Sequence, residues 1–216
     1  MNDRKFISKL RRLIKKFEKS RFKTIDEQIR KFEYLGSEVC ENGAVLIGRA
    51  PHIAKFAWSH SIYKPLTDEE ISKLSNDLKT DIPESYKVFL QEYSNGLSFF
   101  VSTFYLNGLR KNIGRSIEAS RQPYSLDTVN LYERPKNAKE SYFFIGGYNW
   151  DGSHLYIDKA DGKVHFCARW DATSLYSWNS FEEMLESEIL RIIPLFDENG
   201  VKLDKDLFTT PIEMSN

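Results

Sequence analysis

Apolar residues recur at helical spacing near the start of the chain. Phe6, Leu10, Leu13, Ile14 and Phe17 share one face of a helix, with Lys and Arg filling the other. Thr24-Ile25-Asp26-Glu27 has the form of a capping box and predicts a second helix, continued by Ile25, Ile29, Phe32 and Leu35 and ended by Gly36. Residues 37–63 are ambiguous, with Val45-Leu46-Ile47 as a short strand and Trp58 and Tyr63 as core anchors. A second box, Thr67-Asp68-Glu69-Glu70, precedes Ile71, Leu74 and Leu78. Pro83 suits the first turn of the next helix, which turns Tyr86, Phe89, Leu90 and Tyr93 inward and closes at Asn95-Gly96.

Beyond this point the period changes. Residues 97–106 read as one strand buried on both faces, followed by a turn at Asn107-Gly108. Residues 109–139, with Pro123 and Pro135, read as an excursion holding a short helix near 126–131. A strand over 142–145 closes at Gly146-Gly147. Asp161-Gly162 predicts a two-residue hairpin that pairs Leu155 with Ala168 and Ile157 with Phe166 on the core face. It places His154/Arg169, Tyr156/Cys167 and Asp158/His165 on the other face. Ser180-Phe181-Glu182-Glu183 is a third box, with Phe181, Met184, Leu185 and Ile189 inward, and the chain after Ile193 reads as irregular. Helices, then antiparallel strands, then a helix make an α+β pattern.

Composition narrows the classes. The 216 residues are 41% apolar, too rich for a disordered chain, and no window approaches the roughly 20 apolar residues that span a bilayer. A secretory leader is not expected, because the basic start lacks an apolar core and a cleavage site. Cys40 and Cys167 read as free thiols of a reducing, cytoplasmic compartment. The neutral total conceals an asymmetry. Residues 1–31 carry twelve basic and four acidic side chains, or +8, leaving 19 basic and 27 acidic residues and −8 beyond them. For the basic helix three readings stay open: packing on the acidic body, contact with an anionic partner, or a membrane surface.

Catalytic chemistry finds little support. His52 and His60 are eight residues apart, and His154 and His165 lack a third ligand, so no metal and no cofactor is expected. Gly152-Ser153-His154 lacks the frame of a nucleophile elbow, and no phosphate-binding glycine loop is present. Paired acids such as Glu69-Glu70 and Glu182-Glu183 fit first helical turns, where the helix dipole favours them. The aromatic residues sit on an acidic body at core-facing positions, so direct nucleic-acid binding is not expected.

Leu66-Thr67-Asp68-Glu69-Glu70-Ile71, Ile82-Pro83-Glu84-Ser85-Tyr86-Lys87-Val88-Phe89-Leu90 and Asn95-Gly96 resemble the opening signature of the SUKH superfamily. So do Phe144-Ile145-Gly146, the run from Asp151 to Asp158, Gly162-Lys163-Val164 and the Ser-Phe-Glu-Glu-Met-Leu helix. That group includes the fungal cell-wall (glucan) synthesis regulator and bacterial immunity proteins of polymorphic toxin systems. The resemblance implies an α+β domain with a mainly antiparallel sheet flanked by helices. It implies a non-enzymatic protein that binds and neutralises a cognate protein toxin, such as a nuclease; the alternative is a regulatory interaction scaffold like the fungal relative. The expected division is a basic helical extension over 1–63 packing on the body, the SUKH-like domain over 64–192, and a tail over 193–216. Its acidic loops and strand ends nominate Asp151, Asp158, Asp161 and Asp171 as partner-binding residues, with Tyr148 and Trp150 as anchors. The simpler reading is that Asp158 and Asp161 only shape the hairpin and the aromatics are core.

Overall fold

A computed structural model describes residues 21–114 and 116–213. The helix expected around Phe6 to Phe17 lies outside the described residues. The first described helix, α1 (Lys23–Arg30), begins one residue before Thr24, with Phe22 at its cap and no side-chain cap bond. The Thr24 box therefore does not form. A short 3-10 turn, Glu33–Leu35, leads into Gly36.

The ambiguous stretch supplies three strands: β1 (Ser37–Val39), β2 (Val45–Arg49) and β3 (Trp58–Ile62). These strands belong to the same sheet as those of the rest of the chain. Two helices follow, α2 (Asp68–Leu78) and α3 (Glu84–Glu92). At α2 the box forms as its spacing predicts. Thr67 Oγ1 accepts from Glu70 N–H at 3.2 Å, and Glu70 Oε2 accepts from Thr67 N–H at 2.9 Å. Pro83 is the cap of α3 rather than its first residue, and α3 ends before Asn95-Gly96.

The run 97–106 is not one strand. It folds back into β4 (Leu97–Phe99) and β5 (Phe104–Leu106), and Asn107-Gly108 makes no hairpin, since Asn107 N–H continues the ladder to Ile145 O. The excursion holds the single turn α4 (Ile117–Ser120) and a π-helical turn, Thr128–Tyr132. The next strand, β6 (Tyr142–Tyr148), runs through Gly146-Gly147 instead of stopping there. β7 (His154–Asp158), β8 (Val164–Ala168) and β9 (Asp171–Trp178) complete the sheet, and α5 (Phe181–Ile192) closes the order. At α5 the Ser180 hydroxyl caps Glu183 N–H, but the Glu183 carboxylate reaches Asn179 N–H, so only half of that box forms.

All nine strands pair antiparallel in chain order, so each strand lies beside its sequence neighbour. The β7–β8 hairpin is two residues out from the expected register. Leu155 faces Phe166 and Ile157 faces Val164; on the other side His154 faces Cys167 and Tyr156 faces His165. The loop has four residues because Asp158 O accepts from Gly162 N–H and the Asp158 side chain accepts from Ala160 N–H. A slip of two preserves facing. Leu155, Ile157 and Phe166 are therefore buried in the main core as expected.

Helices α1, α2, α3 and α5 cover one face of the sheet, and their apolar residues form one cluster with it. Two buried tyrosines secure that layer. The Tyr86 hydroxyl donates to Asn107 O and to Ile145 O, and Tyr148 donates to Glu188 on α5 at 2.6 Å. The excursion covers part of the opposite face over Phe144, Tyr156 and Cys167. Asn130 fixes it there: its amide donates to Phe144 O at 2.8 Å, and its carbonyl accepts from Phe144 N–H at 3.0 Å. The end of the chain is more ordered than its irregular pattern suggests. Phe196 stacks on Phe100 with centroids 3.9 Å apart, and Arg191 donates to Thr209 O at 2.6 Å.

Candidate functional site

Because β7 and β8 are antiparallel, alternate turns emerge at opposite ends of the sheet, and this divides the expected partner-binding residues. Trp150 and Asp151 lie in the β6–β7 turn and Asp171 starts β9, all at one end. Asp158 and Asp161 belong to the β7–β8 turn at the other. Five-residue strands separate the two ends by about 17 Å.

Each residue has a visible local role. Asp151 accepts from Ser153 N–H at 2.9 Å, and Asp161 accepts from Lys163 N–H at 2.9 Å. Asp171 accepts from Thr173 N–H and from Asn137, and these hydrogen bonds hold its carboxyl below the usual range. Tyr148 is fully buried, so the expectation that it anchors a partner fails. The extra residue at the bulge between Phe144 and Gly146 turns Tyr148 to the helix side, against Phe104 and Phe166. Trp150 does reach the surface, 43% exposed beneath the Lys202 ammonium at 4.2 Å. Trp170, which the sequence reading passed over, is 62% exposed at the same end.

Beside this end, on the face away from the helices, lies a cavity of about 290 Å³. Tyr105 and His154 line its floor and belong to one row across the sheet, in which Tyr105 faces Gly147, Gly147 faces His154 and His154 faces Cys167. Glycine is needed in this row. A Cβ at Gly147 would collide with Ser153 O and lie 3.2 Å from the Tyr105 hydroxyl. Tyr124, Thr128 and Glu133 of the excursion make one wall, and Arg169 makes another. Arg169 lies over Gly152, with its guanidinium 4.8 Å from the Trp170 ring centre.

The row is electrically neutral. Burial, reinforced by the Arg169 charge, pushes the His154 imidazole down to about 4. Burial, with the Asp171 charge, pushes the Cys167 thiol up to about 12. Although paired across the strands, these two residues form no thiolate–imidazolium couple, so the arrangement lacks an activated nucleophile. Burial and the nearby Tyr124 likewise raise Tyr105 to about 12. Among the described residues no three His, Cys, Asp or Glu side chains cluster to hold a metal, and no helix is long and apolar enough to cross a membrane.

The sequence pointed to the Trp150–Asp151 turn but not to the cavity. Tyr105, Tyr124, Glu133 and Arg169 come from four separate segments, and only strand register and the docking of the excursion bring them together. Gly146-Gly147 was the available signal: two adjacent glycines inside an apolar run mark close backbone approach as well as a bend.

No curated protein matches the chain. The model of the SMI1/KNR4 family (SUKH-1) matches residues 65–187. The match runs from the turn before α2 into α5 and includes the excursion and the cavity floor. Covering more than half of the sequence, it shows that the chain belongs to the SMI1/KNR4 (SUKH-1) family.

Proposed function

We propose that the protein is a cytoplasmic immunity protein that binds a cognate toxin, such as a nuclease, and blocks it without catalysis. Membership of a family that includes toxin immunity proteins carries this reading. The sheet end bearing Trp150, Asp151, Trp170 and Asp171 supports it physically. Two indole rings there are exposed beside carboxylates, and rigid aromatic anchors with charged neighbours are the usual make-up of a tight interface. Asp158 and Asp161, at the far end, stay outside the proposed contact. A nuclease presents a basic cleft, so acidic residues at the rim would speed its capture while the indoles set the residence time.

Co-expression with the product of the adjacent gene tests the reading. A stable complex and restored growth are expected; a regulatory scaffold would give neither protection nor a toxin complex. Reversing Asp151→Lys and Asp171→Lys should slow association at least tenfold at low salt, with a much smaller effect at high salt. An unchanged rate in a folded variant would remove this end as the steering surface.

A further inference from the structure

The cavity beside the proposed contact contains more uncommitted polar groups than packing requires. His154 is only 7% exposed, and its Nε2 has no hydrogen-bond partner; Asn107 Oδ1 is buried and likewise unpartnered. Both residues line the space. Buried polar groups left unsatisfied are costly, so a ligand that pairs them gains. At the rim, Glu133 has no cation within ion-pair distance among the described residues. The Tyr105 hydroxyl lies within electrostatic reach of Arg169 and, on the opposing side, of Glu133 and Asp151. Tyr105 and Tyr124 meet edge to face with centroids 4.8 Å apart, giving the space an aromatic wall.

These features specify an occupant: a planar cation with several donors. The Asn107 amide oxygen and the Glu133 carboxylate are acceptors without a donor among the described residues, and the tyrosine rings offer a face for a flat positive group. Arginine meets both demands, whereas lysine supplies a point charge without a plane. A carboxylate would be repelled by Glu133. Arg169 does not fill the role, because its guanidinium is drawn against Trp170. We propose that this cavity receives the guanidinium of an arginine side chain presented by the bound protein partner. The partner's identity as a toxin rests on the immunity reading, but the chemistry of the cavity does not.

The test titrates the isotopically labelled full chain with N-acetyl-arginine amide and, separately, with the lysine and glutamate analogues, following backbone amides by NMR. Arginine should shift Gly147, Asn149 and His154 in a saturable way, with lysine at least fivefold weaker and glutamate inert. Glu133→Gln, a change at an exposed position, should weaken arginine at least fivefold while leaving the rest of the spectrum in place. If glutamate shifts the same amides, or if Glu133→Gln binds arginine as the parent does, the assignment is overturned. A toxin whose binding is unaffected by Glu133→Gln would overturn the cavity's role and leave the immunity reading standing. Arginine binding without any toxin complex would uphold the cavity and remove that reading.

Discussion

At the scale of single residues, His60 governs how the protein meets acid. It is completely buried on β3, with ring centroids of Phe32, Phe99 and Phe100 within 4.9 Å, and its Nδ1 accepts from Phe100 N–H at 3.4 Å. Burial pushes its pKa down to about 3. The unfolded chain takes up this proton near pH 6.5, whereas the folded chain refuses it until about pH 3. Stability from this residue is therefore fully present above pH 6.5 and is lost as the pH falls below it, by about 1.4 kcal/mol per unit. His154, lowered for a similar reason, acts in the same direction. Denaturant titrations at pH 7.5 and 5.0 should differ by several kcal/mol. In His60→Leu, which keeps an apolar side chain in the same space, that difference should shrink by about 2 kcal/mol. An equal difference in both proteins would mean that His60 titrates freely.

At the scale of elements, the sequence was legible where one local rule acts alone. The Thr67 box and the buried faces of α2, α3 and α5 follow directly from capping and periodicity. It was illegible where tertiary contacts override propensity. The β4–β5 reversal has no Gly, Pro, Asn or Asp to mark it, yet Phe100, Val101 and Ser102 all take positive φ, at 43°, 52° and 63°. For side chains with a Cβ this conformation costs on the order of 1–2 kcal/mol per residue. Packing holds the turn in place: Phe100 stacks on Phe196, Val101 N–H donates to Ser59 O at 2.8 Å, and Thr103 N–H donates to Phe100 O at 3.0 Å. Val101 is β-branched, the least suited of the three to this region. Val101→Gly should thus raise the melting temperature by about 2–4 °C, the response of a chain this size to ~1 kcal/mol. A lower melting temperature would show that the half-buried valine contributes more by packing than its backbone strain costs. The hairpin register and the Gly146-Gly147 strand were misread for a related reason. Asp161-Gly162 and paired glycines have more than one structural use, and only neighbouring strands decide between them.

At the scale of the whole molecule, the family match and the folding unit have different boundaries. The match begins at residue 65, but the core begins earlier. Phe22, Ile25, Ile29 and Phe32 lie in the same buried cluster as α3 and α5, and the Phe22 ring meets Phe89 edge to face at 5.5 Å. Ile47 and Ile62 belong to it too. Removing β1–β3 would also expose the unpaired edge of β4, an invitation to aggregate. Each large core side chain contributes about 1.5–3 kcal/mol on burial, and a domain is stable by only about 5–15 kcal/mol. Losing six such residues, about 9–18 kcal/mol, is comparable to that whole margin. A chain of residues 64–192 should therefore lack a cooperative thermal transition and aggregate, although it contains the whole family match. A chain of residues 21–216 should melt cooperatively near the full-length value, because Phe22 and the residues after it supply what the later helices pack against. Both are read by calorimetry and near-ultraviolet circular dichroism on the purified proteins. A cooperative transition in 64–192 would mean that α1 and β1–β3 decorate a core already complete. Failure of 21–216 would mean that the basic segment before Arg21 is part of the folding unit rather than an appendage to it.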